Sequence, residues 1–373
     1  MNLAALIKGE MREESSTTSQ LSDAMTTKEE TSTTGGNTMT SSSSPGSEFY
    51  FHLAVVVIGV IGTAANALIL YALVASKQHK KHVLIVNQNA LDLFSCIFLI
   101  ITYSVKLCSI RLIGWIGYWL CVLILTDNIL WCGIVGSTIN LATITIERYI
   151  KVVHNTKVRN WIIYSAIAFA WIGSIVCNAV AVLLSSDLIN GICYVFIFKN
   201  KSDQIIYFFW HFASFYLIIL LIFIICYGRI LHVIRRQAKI MSSHNAASTS
   251  TATTQSNQRK INVIKTMILV SGSFAVMWLP NHISALLILL SPNPKLDSGY
   301  YVSLFIAFLY ICCNPFIYAT KFDPVKEILI RMIPCKKTNV VSIDIGMVTF
   351  RNGPAGHARV NYSNQCLQGL ENQ

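Results

Sequence analysis

An all-α membrane protein, a seven-transmembrane helix bundle with a short amphipathic eighth helix, is the fold class predicted by three features of the sequence. Hydrophobic residues make up 54% of the 373 residues and charged residues only 12%, about half the charged share of a soluble domain. Seven apolar runs, approximately 49–75, 83–105, 119–146, 160–184, 205–228, 266–290 and 299–320, are each long enough to cross a bilayer as a helix. Lys and Arg collect in alternate connections between them, the pattern that sets membrane orientation.

Residues 1–48 are rich in Ser and Thr, mildly acidic and poor in aromatics, which predicts a disordered extracellular tail. No h-region precedes the first run, so that run is expected to serve as the signal anchor. Within all seven runs the only charges are Asp92 and Asp127. The runs are continuous rather than alternating, which excludes a β-barrel.

The first, third and fifth connections carry Lys77, Lys80 and Lys81, then Arg148, Lys151, Lys157 and Arg159, then Arg229, Arg235, Arg236, Lys239, Arg259, Lys260 and Lys265. They are expected in the cytoplasm. The alternate connections hold fewer cations, such as Lys106 and Arg111 or Lys199 and Lys201, with Asp187, Asp203 and Asp297 in the later two. This places the N-terminus outside and the C-terminus inside. Much of the +12 net charge is therefore orientation signal rather than a nucleic-acid surface. The stretch SSHNAASTSTATTQSN (242–257) in the fifth connection reads either as a flexible linker or as a set of kinase sites.

After the seventh run comes KFDPVKEILIRMIPCKK. Asp323 can cap a helix that has Pro324 in its first position. Val325, Ile328, Leu329 and Met332 then recur at helical spacing, as in a short helix lying on the inner leaflet. Cys335 is a palmitoylation candidate or a free thiol, and 336–373 is expected to be a cytoplasmic tail. Of the eleven cysteines, Cys96, Cys132, Cys177, Cys226, Cys312 and Cys313 fall within the runs, where a thiol is usually a small core residue. Cys121 and Cys193 face an oxidising compartment and can bond, with Cys108 a competing partner. Asn200-Lys201-Ser202 is a glycosylation sequon on the same side.

The third run ends in LATITIERYIKVV (141–153), with Glu147 and Arg148 side by side at a border between apolar and basic sequence. With Asn66 in GTAANALIL, Asp92 in NQNALDL, Trp171 in AFAWIGS, Tyr227 in ICYGRIL, MWLP (277–280) and NPFIY (314–318), the chain over 49–335 resembles the rhodopsin-like G protein-coupled receptors. The resemblance implies an extracellular ligand, a heterotrimeric G protein, arrestin and a receptor kinase as partners, all at the plasma membrane. It assigns G protein coupling to Glu147, Arg148, Tyr149, Tyr227 and Tyr318, with Glu147 restraining Arg148 at rest. It assigns the activation switch to Phe274, Trp278, Pro280, Asn314, Pro315 and Tyr318. Both prolines lie inside apolar helices, where each removes a backbone bond. No cofactor is implied other than a sodium ion, held by a polar cluster of Asn66, Asp92, Ser137, Trp278 and Asn314.

Asp92 lies near mid-membrane, where an ionisable group is costly and by default functional. It is expected either in that cluster or as a neutral carboxyl bonded to Asn66 and Asn314. The sequence also departs from the family. Tyr310 and Ile311 replace the usual Asn and Ser beside the cluster, Lys260 stands in place of an acidic partner for Arg148, and Asn155 and Thr156 replace Pro and an apolar residue after ERY. Cys121 and Arg148 are two residues further apart than usual. Ile219 replaces the proline of the fifth helix, which predicts that its local bulge is absent.

No Lys lies between 298 and 320, which argues against an opsin, and Leu130 occupies the place of the acidic residue of amine receptors, with Asp127 three residues earlier. WLPNH resembles galanin-like peptide receptors. Asp127, Leu130, Asn281, His282 and Phe308 are the candidate pocket, for a peptide or small polar ligand. An amine or other small-molecule receptor of the same fold is the alternative, and a membrane transporter or channel a more remote one. A transporter needs several charged or broken midplane segments, and an enzyme needs a nucleophile or metal constellation; no HExxH, GxSxG or P-loop pattern is present.

Overall fold

The structure, a computed structural model, describes residues 45–108, 110–189, 191–194, 200–244, 251–291 and 298–332. The expectations for most of the N-terminal tail, Cys335 and 336–373 fall outside them. Among the described residues, seven helical spans are long and apolar enough to cross a membrane. They lie within the helical stretches Pro45–Ala75, Val83–Leu107, Gly114–Val153, Asn160–Ser185, 201–244, Thr251–Leu290 and Ser298–Lys321, with a short eighth helix at Asp323–Met332.

Most spans outrun their apolar runs, because a helix continues into the polar phase once nucleated in the apolar one. The first begins at Pro45, inside the stretch expected as tail, with Glu48 in its first turn, a residue pair suited to a helix start. The sixth begins at Thr251, so the second half of the Ser/Thr-rich stretch is helical backbone rather than linker. Pro280 and Pro315 both lie inside their helices.

The first span packs on the second and seventh, the third on the second, fourth and fifth, and the sixth on the seventh. Gly62 lets the first span approach closely: a Cβ there would meet the sulfurs of Cys312 at 2.6 Å and Cys96 at 2.7 Å. The core runs through Leu73, Leu99, Leu130, Leu141, Phe274, Phe308 and Tyr318, all buried. The eighth helix seats Val325 fully in this core, with Ile328 and Leu329 packed against it. The side chains of Asp323 and Met332 lie outside the description.

Two spans are irregular, at places the sequence marks differently. The third is a helix over Gly114–Leu120, a wide π-helical turn over Cys121–Leu125, and a second helix over Asn128–Val153. Between the last two, Asp127 adopts a left-handed backbone at φ 60°. A wide turn and a break accommodate extra residues without shifting either end, which accounts for the long spacing between Cys121 and Arg148. The fifth span carries a π-helical turn at Ala213–Leu217. The expectation that it lacks a bulge is therefore incorrect: a wide turn needs one residue more per turn, not a proline. Between the fourth and fifth spans, β1 (Asp187–Ile189) pairs antiparallel with β2 (Ile192–Tyr194). Gly191 turns the hairpin at φ 79°, a conformation open mainly to glycine.

Candidate functional site

Cys193 of β2 is bonded to Cys121, with Cα atoms 5.5 Å apart, while Cys108 is free and exposed. The disulfide therefore marks one end of the bundle and Glu147 the other.

At the Glu147 end, Glu147 is buried and faces two cations. Arg148 Nε lies 3.2 Å from one carboxylate oxygen, and Lys151 Nζ is paired with the other. The Arg148 contact has ion-pair distance but not hydrogen-bond alignment, so Glu147 holds Arg148 by charge alone and shares itself with Lys151. The i,i+4 spacing that brings Lys151 there is legible in ERYIK, yet that partner is absent from the sequence expectation. One turn earlier on the third span, Thr145 shares a hydrogen bond with the Tyr227 hydroxyl at 3.0 Å, and Tyr227 shares another with Ser271 at 3.0 Å. Those three residues tie the third, fifth and sixth spans. Thr266 donates to the Lys321 carbonyl at 3.0 Å, tying the sixth span to the seventh. The Tyr318 hydroxyl is buried without a protein partner among the described residues, and the Tyr149 ring meets His154. The Lys260 side chain lies outside the description.

After Arg148 the chain leaves its helix through Asn155 at φ 51°. Proline cannot adopt that angle and asparagine tolerates it, which explains the departure from the family at this position.

Midway along the bundle, Asp92 is fully buried. Ser137 donates to its Oδ1 at 2.6 Å, Gln88 Nε2 lies 3.4 Å from the same oxygen, and Asn314 donates to Oδ2 at 2.9 Å. Two expected members are not bonded to Asp92. Asn66 gives its amide to the Gly62 carbonyl and the Cys96 sulfur, because its helix brings it closer to those groups. Trp278 Nε1 has no protein partner among the described residues; its ring is held instead among Trp131, Phe274 and His282. Gln88 and Asn140, two buried amides missed by the sequence expectation, complete the cluster. A hard cation needs oxygen ligands. Here Ser137 directs its hydrogen at Asp92 and one of its two lone pairs accepts from Gln88, while Gln88 and Asn314 turn amide nitrogens rather than oxygens to the carboxylate, a donor-lined surround that does not fit a sodium ion.

At the disulfide end the pocket candidates separate into two groups. His282 lies among Tyr216 (4.7 Å between centroids), Phe212, Trp278 and His211. The space between His282, His211, Trp131 and Trp278 is only about 10 Å³, room for about one water. Asn281 is buried next to His282 in sequence, its Oδ1 without a protein partner among the described residues. Asp127 instead accepts two bonds from Lys106 Nζ at 2.8 and 2.9 Å. That ammonium lies 4.6 Å from the Tyr103 ring centroid, and Tyr103 packs on Phe308. Leu130 is wholly buried. A wider cavity, of about 810 Å³, lies elsewhere: Arg111, Leu112, Ile113, Trp115, Tyr118 and Leu188 line it. None of these was among the expected pocket residues. Asn200 is exposed at this end and donates to Asp203 at 3.2 Å.

Over residues 65–318 the chain matches the 7 transmembrane receptor (rhodopsin family). It is 26% identical over 223 residues to lysophosphatidic acid receptor 1 of Mus musculus, covering 58% of each chain, so it spans a little over half the length of that relative. It is 24% identical over 308 residues to galanin receptor type 1 of Rattus norvegicus, covering 77% of this chain and 84% of that receptor. The crystal structure of squid rhodopsin aligns with a TM-score of 0.64 at 16% identity, covering 78% of this chain and 86% of that one.

Proposed function

The chain belongs to the rhodopsin family of seven-transmembrane receptors, and from that premise we propose that it binds an extracellular ligand at the disulfide end and activates a heterotrimeric G protein at the Glu147 end. The observation that carries this is the arrangement of Glu147 against Arg148, beside the Tyr227 tie between three spans. Loss of those contacts frees a guanidinium at the membrane face, a group suited to carbonyl and carboxylate partners. Arrestin and a receptor kinase would use the same face. The disulfide belongs in an oxidising compartment and the cationic connections in the cytoplasm, which orients the N-terminus outward. Arg148→Ala is expected to abolish agonist-stimulated nucleotide exchange while ligand binding is kept, and Glu147→Gln to raise basal exchange. Normal signalling by Arg148→Ala through every G protein tested, at equal surface expression, rejects the proposal.

For the ligand, the two relatives named above suggest different classes, a peptide and a lipid acid, and the sequence expectation of a peptide or small polar ligand omits the lipid. The pocket chemistry favours a peptide with aromatic groups. One group, around His282, is lined by aromatic and imidazole rings, and the partly buried cation of the other, Lys106, is already neutralised by Asp127. A phosphate headgroup there would have to break that pair. One feature favours the lipid: the 810 Å³ cavity sets the exposed Arg111 against apolar walls. Lysophosphatidic acid and a peptide library are the probes. His282→Ala is expected to lower peptide potency at least tenfold without loss of surface expression, roughly the 1.4 kcal/mol of one lost contact. Activation by lysophosphatidic acid that Arg111→Ala removes would instead establish the lipid.

A further inference from the structure

Asp92 is met by three protein donors, and the polarity of one of them is set from another span. Amide side chains can face either way, so their direction must come from neighbours of fixed character. Trp171, on the fourth span, supplies one: an indole nitrogen only donates. It donates to Asn87 Oδ1 at 3.0 Å, which leaves Asn87 Nδ2 to donate to Asn140 Oδ1 at 2.9 Å. Asn140 must then present Nδ2 to its remaining partners, the Leu84 carbonyl at 3.0 Å and Gln88 Oε1 at 2.8 Å. The Leu84 carbonyl can only accept, so a second, independent anchor demands the same direction. With its oxygen engaged, Gln88 turns its NH2 to Ser137 Oγ and Asp92 Oδ1. Ser137, accepting from Gln88, gives its single hydrogen to Asp92.

All of these side chains except Trp171 are buried, so water does not compete to reverse the chain. Reversing it would set two donors face to face at Trp171 and two acceptors at Leu84, each leaving desolvated polar groups unmet. The amide therefore presents partial positive charge where a cation bound to Asp92 would lie. On the other side Asn314 covers Oδ2.

We infer that Gln88 is the resident counter-group of Asp92, held in that role by the directional chain from Trp171, and that this cluster takes no sodium ion. Gln88 is a positioning residue in this assignment, and the family's sodium dependence is lost.

The test is thermal unfolding of the purified full chain in detergent, titrated with sodium chloride against choline chloride at equal ionic strength. A ligand that binds only the folded state raises the midpoint in a saturable way. The wild type is expected to show no difference between the two salts. Gln88→Leu, which removes the donor, is expected to gain a saturable sodium-specific rise of several degrees, abolished by adding Asp92→Asn; if it does not fold, Gln88→Met serves in its place. A sodium-specific rise in the wild type that Asp92→Asn removes overturns the inference. So does a folded Gln88 variant that remains indifferent to sodium, since the amide would then not be what keeps the ion out.

Discussion

His82 shows how a single residue couples the Glu147 end of the bundle to pH. It is the N-cap residue just before the second span, buried, with its ring edge-on to Phe322 at 5.2 Å between centroids. Burial, and then the positive charges of Arg148, Lys81 and Lys151, lower its pKa from 6.5 to about 4. Above pH 6.5 the imidazole is neutral in both folded and unfolded chains and has no pH effect. Below it the unfolded chain takes up a proton that the folded one refuses, so stability falls as pH drops from 6.5 towards 4, by about 3 kcal/mol at the bottom of that window. Thermal midpoints at pH 7.5 and 5 should therefore differ more for the wild type than for His82→Gln. Equal differences would show that His82 does not titrate in this window. Arg148 and Glu147 are legible in the sequence because charges at the end of an apolar run stand out. His82 is not, because nothing in KKHVL tells that Phe322 will cover it.

At the level of elements, the breaks in the third and fifth spans come from backbone geometry that composition does not announce. The wide turns at Cys121–Leu125 and Ala213–Leu217 contain no proline. The third span is also pinned at its break, where Lys106 from the second span reaches Asp127. Both side chains are about four-fifths buried, so removing one partner leaves a charge with little solvent. Lys106→Met should cost about 2 kcal/mol, the scale of a hydrogen bond to a charged group. Adding Asp127→Leu should recover most of it, since an apolar pair of similar volume replaces a buried ion pair at little net cost. Thermal midpoints of the two single variants and the double decide this: additive losses would show that the two residues act separately.

For the molecule as a whole, the Cys121–Cys193 bond closes a loop of 72 residues around the fourth span and the hairpin. In the entropic description such a closure stabilises by roughly 4 kcal/mol. Cys193→Ser is expected to lower the melting midpoint and impair surface delivery or ligand binding, and Cys108→Ser to leave both unchanged. The reverse result would mean that the pairing is exchanged in the cell.

The sequence alone determined seven spans, the end that carries ERY, and the receptor family, because a bilayer imposes a one-dimensional rule: each crossing must be a continuous apolar helix that satisfies its own backbone. It could also place Asp92 at mid-depth by counting residues. Only the tertiary structure decided what Asp92 touches, that Asn66 and Trp278 are turned elsewhere, that Lys106 claims Asp127, and that Cys108 stays free. Those outcomes depend on the rotation of each helix about its axis and on which amide faces which. Such choices are made by neighbours far away in the chain, 222 residues in the case of Asn314 and Asp92, and no local pattern records them.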